Sequence, residues 1–391
     1  MASSTSSDLP PLPEASNTKA IPLSWFGFDR ETGRWEKVPV ADTTGSPPVL
    51  VELDDAQDDA GDSSKSSSKS NSNDQAAPDL LAVTWNIDAY GYEHAKRLRS
   101  VLLRSEMTLK SVGAKDVPSA ASAAPAAAAT STTSRPQSWP VPDVYFLQEV
   151  SGIAKRTLLD YDFIRDDYYI SGVDWMLKDV GHPFYNATLL SRHRFTPELT
   201  TDARKLTLGR VWMVNLPSRY GRYALCCDVV QSARTTLRLV NVHLDSLPAR
   251  PSHRPRQLAT VADMLKATGV AAGVVAGDFN PVIPEEDDGL VAANGLTDCW
   301  LKLKGPGKGD EPGFTWGVSR KERFPPIRMD KVAIVNNSHD EVQVLQAKEI
   351  GLLEPTFVKM DVPTRTGGVL DDEPEVLASD HLGIWVRFGL K

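Results

Sequence analysis

Long hydrophobic runs are scarce in this chain of 391 residues. The longest, LCCDVV and IWVRFGL, stop well short of the ~20 apolar residues that a membrane-spanning helix needs. The opening stretch MASSTSSDLP lacks the apolar core of a secretory signal. The expectation is a soluble, intracellular protein with no membrane partner. Cysteine is equally sparse: Cys226, Cys227 and Cys299 are three in number and two of them are adjacent in an apolar run. An odd, badly spaced set excludes a disulfide framework and a zinc cluster and leaves core thiols. No compact basic run stands out as a localisation signal. The formal charge of −8 is uneven, since residues 1 to 78 hold 13 acidic and 6 basic side chains and the remainder 38 and 37. The body is thus close to neutral, and an acidic tail says little about the field inside a cleft.

Two stretches lack the apolar content that packing requires. Residues 50–78, acidic and Ser-rich, cannot offset their ordering entropy and read as a disordered linker. An Ala/Ser/Thr/Pro tract over about 111–140 separates two sharply patterned segments and reads as a loop insertion. Within residues 1–49, SWFGFDRETGRWEKVPV sets Trp25, Phe26, Phe28 and Trp35 around a turn-like Glu-Thr-Gly. It fits a small hairpin docked on the body, or alternatively a hook for a protein partner.

Residues 79–391 carry the fold. LLAVTWNI, VYFLQEV, ATLLSRH, RYALCCDVVQ, TLRLVNVHLDS, AAGVVAGDFN, RMDKVAIV and HLGIWVRFGL read as strands. Leu258, Val261, Ala262 and Leu265 recur at helical spacing and predict a helix. Near-continuous apolar strands imply burial on both faces, and hence an α/β sandwich with sheet against sheet inside and helices outside.

Several of these strands finish on polar groups: Asn86 and Asp88, Gln148 and Glu149, His243 and Asp245, Asp278 and Asn280, with Asp380 and His381 opening the last one. Residues two apart on a strand point the same way, so each pair can serve one site. Asn, Asp and Glu oxygens without a Cys/His set favour Mg²⁺, with Mn²⁺ as a substitute, over zinc. Magnesium-assisted attack on phosphorus follows, with histidines to stabilise phosphoryl oxygens or move protons.

In order, TWNID, FLQEV, HLDS, GDFN and SDHLG resemble the signatures of the endonuclease/exonuclease/phosphatase superfamily. The resemblance implies a four-layered αββα sandwich over about residues 79–391 and a metal-dependent phosphodiesterase or phosphatase. TWNID, FTW at Phe314 to Trp316, RMDK at Arg328 to Lys331 and SDHLG most resemble the members that cleave 5′-tyrosyl-DNA linkages. It further implies Glu149 as the principal metal carboxylate, with Asn86 and Asp380 near the metal. Asp278 would orient and deprotonate water, Asn280 would steady the phosphate, and His381, held by Asp330, would neutralise it. His243 would donate to a phosphoryl oxygen. Trp316 and Arg328 match positions implied to meet a nucleic-acid strand, and Tyr185 and Asn186 lie on a strand whose counterpart reaches the site.

Plainer readings stand beside these: Trp316 as core packing, Arg328 in a surface ion pair, His243 as a satisfied core histidine. Asp245, Phe279 and Met329 depart from the superfamily pattern, which bears on substrate choice. The expected substrate is DNA with a 5′-tyrosyl adduct on a single-stranded end, processed by a monomer in the repair of stalled topoisomerase 2, with the nucleus as the expected compartment and the cytoplasm as a further one. Other phosphodiester substrates (poly(A), abasic sites, phosphoinositides or sphingolipids) and a non-catalytic binding module are the alternatives.

Overall fold

Apolar alternation in the strand-like runs resolves into two sheets in the computed structural model, which describes residues 20–40, 79–88, 93–113, 142–174, 183–200, 202, 204–232, 235–248, 250–306, 312–318, 324–337, 344–359 and 375–391. The strands are β1 (Ala20–Leu23), β2 (Trp25–Asp29), β3 (Arg34–Val38), β4 (Leu80–Asn86), β5 (Val144–Ser151), β6 (Tyr168–Ser171), β7 (Phe184–Ser191), β8 (Phe195–Thr196) and β9 (Leu206–Asn215). They continue as β10 (Tyr223–Ser232), β11 (Thr235–His243), β12 (Ala272–Asp278), β13 (Thr297–Asp298), β14 (Asp330–Asn336), β15 (Leu345–Leu352), β16 (Phe357–Lys359), β17 (Glu375–Leu377) and β18 (Ile384–Leu390). Among the described residues one sheet runs β1-β9-β10-β11-β12-β14-β13, with β8 beside β9, and the other runs β15-β18-β4-β5-β7-β6-β2-β3.

Period-two alternation decides what lies between the sheets. Leu80 and Ala82, Val144 and Phe146, Leu237 and Leu239, Ala272, Val274 and Ala276, and Val332 and Ile334 form one inter-sheet core. The intervening residues face outward. Val83 and Trp85 meet the helix His94–Gly113 through Leu98, Val101 and Leu102, while Val240, Val242 and Val275 meet the helix Arg254–Leu265. Its buried side chains include Leu258, Val261, Ala262 and Leu265, the four positions that the spacing selects. Helix, sheet, sheet, helix is the αββα order, and the central strands of both sheets, such as β4 and β12, are buried on both faces as their continuous apolar runs require.

The N-terminal segment supplies an edge strand to each sheet. β1 pairs with β9, and the hairpin β2–β3 turns at Glu31 to Gly33 and pairs with β6. Trp25 is 1% exposed and its indole Nε1 donates to the Gly209 carbonyl of the opposite sheet at 3.0 Å. The helix His94–Gly113 extends past Ser111, so the Ala/Ser/Thr/Pro tract begins later than its composition suggests. The rest of that tract and the linker 50–78 lie outside the described residues. None of the described helices is long and apolar enough to cross a membrane.

Trp25→Ala is expected to lower unfolding free energy by about 3–5 kcal/mol, the cost of emptying a buried aromatic site. A denaturant midpoint matching that of wild type would show that the N-terminal strands are peripheral.

Candidate active site

At one end of the molecule the inter-sheet layer changes from apolar to polar. Continuing the inward-facing positions by one or two more steps gives Asn86 on β4, Gln148 on β5, Asn186 on β7, Asn241 and His243 on β11, Asp278 on β12 and Asp330 on β14. Register aligns three of them: parallel pairing sets His243 beside Asp278, and antiparallel pairing sets Asp330 on its other side. The chain just before Asp278 accepts only glycine. Gly277 has φ +141°, and a Cβ there would lie 1.9 Å from the Val242 carbonyl oxygen. Beneath the site a buried amide layer joins the sheets. Gln148 Nε2 donates to Asn241 Oδ1 at 2.8 Å, and Asn241 Nδ2 donates to the Leu147 and Ala187 carbonyls.

Above this layer the side chains converge. Asn86 Nδ2 lies 3.3 Å from Glu149 Oε1 and 3.1 Å from Asp278 Oδ2, while its Oδ1 accepts from the Asp88 amide. Glu149 escapes strand alternation because it has φ 56° at a register irregularity between Leu147 and Val150. That kink turns its carboxylate into the site. His243 Nε2 is 3.5 Å from Asp278 Oδ2 and 3.7 Å from Glu149 Oε1. His381 Nδ1 is 2.7 Å from Asp330 Oδ2, and its Nε2 lies 4.0 Å from both Asp278 and Asp380 carboxylates. The Ser-Asp-His-Leu-Gly run is built for this placement. Ser379 Oγ donates to the Asn86 carbonyl and accepts from the His381 amide, and a Cβ on Gly383 would meet the Trp85 ring at 2.6 Å. Asn280, at φ 46°, donates its amide to Asp278 Oδ1 and its side chain to the Leu244 carbonyl.

These groups floor a cleft of about 540 Å³. Glu149, His243, Asp278, Asn280 and His381 supply its polar floor, and Trp316, Phe324, Ile327 and Met329 are among its apolar walls.

The two imidazoles carry opposite charge preferences. Burial alone would lower the His381 pKa, but Asp330, through charge and hydrogen bond, with Asp278 and Asp380 behind it, raises it well above the ordinary value. His243 is held well below that value by burial first, then by Arg222 and by His381. Arg222 Nη1 sits 3.2 Å from His243 Nδ1, and a guanidinium can only donate. The neutral ring therefore keeps its proton on Nε2, facing Asp278 and Glu149. Burial pushes the Asp278 carboxyl up to about 6, with Asp330 adding to the shift and His381 opposing it.

Not every residue expected at the site reaches it. Tyr185 is 1% exposed and packs in the outer core, with Lys155 over its ring, because it occupies the face opposite Asn186. Arg328 is not free to meet a strand: its Nη2 donates to both Asp298 oxygens, at 2.9 and 3.1 Å. Asn186 lines a small pocket behind His243 with Phe184, Arg222 and Tyr223. Asp88 turns to Arg97, and Asp245 accepts from Ser218, Arg219 and Gln257, so both brace loops. Asp380 Oδ2 accepts from Trp316 Nε1 at 3.1 Å, fixing the indole at the cleft. Arg222 and Phe184, which stacks on His243 with centroids 5.5 Å apart, are additions that the motifs did not flag. An arginine 21 residues before the HLDS histidine, across a hairpin, was the available signal.

Among the described residues no three or more His, Cys, Asp or Glu side chains are grouped to hold a metal. Glu149, 14% exposed and beside the Asn86 amide, offers one hard carboxylate at the cleft. That donor set fits Mg²⁺ or Mn²⁺ held through one or two protein oxygens plus water and substrate.

The two packed sheets thus present an acid–imidazole floor at their strand ends. Residues 83–381 match the model of the Endonuclease/Exonuclease/phosphatase family, and the chain belongs to that family. Its members are hydrolases, generally dependent on a divalent metal. Among solved structures it is similar to TDP2 from D. rerio complexed with single-strand DNA product (TM-score 0.50, 19% identity, covering 79% of this chain and 98% of that one). It is also similar to TDP2 from C. elegans (0.44, 18%, 80% and 75%) and to the human Nocturnin catalytic domain with bound sulfate (0.43, 17%, 81% and 96%). No curated protein matches the chain.

A carboxyl whose folded pKa is about 6 against an ordinary 3.8 binds more protons folded than unfolded between those values. Stability attributable to Asp278 is therefore lost as pH rises from about 4 through 6. Asp278→Asn is expected to exceed wild type in stability at pH 8, by on the order of 2–3 kcal/mol, and to match it near pH 4. Denaturant titrations at the two pH values check this, and a pH-independent difference would contradict it.

Proposed function

We propose that the chain hydrolyses the phosphodiester joining a tyrosine oxygen to a DNA 5′ end. The observation that carries this reading is one cleft containing the buried Asp278 carboxylate, the acid-paired His381 imidazole and a wall of aromatic and apolar groups. Asp278 orients a water and takes its proton. The water oxygen forms the new bond to phosphorus while the bond to the tyrosine oxygen breaks in line, giving a 5′ phosphate and a phenolate. His381, kept cationic by Asp330, neutralises a phosphoryl oxygen, and His243 donates to another from Nε2. Asn280 and Asn86 steady the phosphate. Glu149, with Asn86 Nδ2 beside its carboxylate, and Asp380 through water would hold Mg²⁺, which when bound offsets charge on the phosphoryl and leaving oxygens. Phenolate leaves readily, with a pKa near 10, so the site needs no dedicated general acid.

Support for the substrate comes from three directions. Trp316, Phe324 and Ile327 offer a sequence-tolerant surface of the kind on which unpaired bases stack. The runs FTW, RMDK and SDHLG resemble those of 5′-tyrosyl-DNA enzymes. A structural relative of this fold is TDP2 complexed with single-strand DNA product. The cellular reading that follows is repair of topoisomerase 2 adducts in the nucleus by a monomer.

The test is turnover of a single-stranded oligonucleotide bearing a 5′-phosphotyrosine. Tyrosine release that requires Mg²⁺, rises with pH through about 6 and falls 10²-fold or more in Glu149→Ala and Asp278→Asn is expected. Glu149-dependent cleavage of poly(A), abasic DNA or a lipid head group without tyrosine release would replace the substrate. Full activity in Asp278→Asn would remove the mechanism.

A further inference from the structure

One wall of the cleft is held by a charge pair that the chemistry above does not use. Arg254 and Asp287 are 1% and 2% exposed and meet in a two-pronged pair, Nε to Oδ1 at 2.7 Å and Nη2 to Oδ2 at 2.8 Å. The remaining guanidinium nitrogen, Nη1, donates to the carbonyls of Asp245 at 2.9 Å and Leu247 at 3.2 Å. Asp287 Oδ2 accepts in turn from the Ile283 amide at 2.7 Å. The pair thus ties together two loops: the one after β11, which brings Leu247 and Pro248 to the cleft, and the one after β12, which brings Val282 and Pro284. Leu247 needs such restraint. It sits at φ 68°, unfavourable for a branched side chain, and is 60% exposed over the cleft.

We infer that the buried Arg254–Asp287 pair is a positioning device that sets the width of the cleft, locking two loops into one apolar wall that grips a bulky or aromatic group beside the phosphate. This rests on the phosphoester reading of the cleft. Neither residue touches the reacting atoms, so the device acts on affinity for the group attached to phosphorus and leaves the phosphate contacts alone. A fixed guanidinium fork suits the task, because it is planar and makes several directed bonds at once.

The decisive comparison is the affinity of phenyl phosphate against that of inorganic phosphate, measured by titration calorimetry of the full chain with Mg²⁺. Breaking one partner would strand a buried charge, so the variant is the double apolar replacement Arg254→Met with Asp287→Leu. Leu247→Ala, at an exposed position, reports on the wall if the double variant does not fold. Wild type is expected to bind phenyl phosphate more tightly than phosphate. Either variant should lose roughly tenfold in phenyl phosphate affinity, the scale of one lost apolar contact in a pocket, with phosphate affinity within about twofold. The combined triple variant should lose little more than either, since both act through one wall.

Parallel losses for both ligands, or none for either, would overturn the positioning role. So would equal wild-type affinity for the two ligands. A wild type that binds neither ligand would sink this inference together with the proposed function. Binding that follows the expected pattern without hydrolysis of the 5′-phosphotyrosyl oligonucleotide would overturn only the substrate.

Discussion

Everything at the cleft depends on the register of three adjacent strands. β11 runs parallel to β12 and β14 antiparallel to it, and the two pairings place His243, Asp278 and Asp330 in one row across the sheet. A slip of one residue in either pairing would turn its side chain to the outer face. Gly277 enforces the arrangement from inside, since no other residue fits against the Val242 carbonyl. The opposite sheet completes the site through Asn86, which bonds Asp278, with the Gln148–Asn241 bond and the apolar inter-sheet core holding the two sheets together beneath it. The chemistry is therefore a property of two sheets held in mutual register.

The site is costly to the fold. Asp278, Asp330, His243 and His381 are all nearly inaccessible, and a buried charge is tolerated only when paired. Glu149, Leu247 and Asn280 combine a left-handed backbone with a place in the cleft, and Asp88, which positions Asn86, shares that conformation. Such strain persists only where the surroundings impose it, and here the braces are visible: Arg97 on Asp88, and Arg254 on Leu247. The polar floor can then be preorganised for the charge that builds on a phosphoryl group.

Much of this was legible in the chain. All eight strand-like runs contain strands, and Asn86, His243 and Asp278 converge because period-two alternation is a local property that survives folding, while Glu149, Asn280 and His381 join them from a kinked strand and from turns beside strand ends. What failed was long-range or one residue out of phase. Tyr185 and Asn186 are neighbours, yet only one can face the inter-sheet layer. Arg328 sits 30 residues from the Asp298 that captures it, and Arg254 lies 33 from Asp287, separations that no local pattern reveals. The helix His94–Gly113 went unread although Leu98, Val101, Leu102 and Leu109 lie on one buried face, because its polar surface outweighs them in composition.

The two imidazoles at the site are held in different charge states, His381 by Asp330 and His243 by burial and Arg222. Nitrogen-detected NMR of the histidine rings at pH 7 measures this directly. The expected spectrum shows an imidazolium at His381 and a neutral ring at His243 with its proton on Nε2. A neutral His381, or a His243 protonated on both nitrogens, would contradict it.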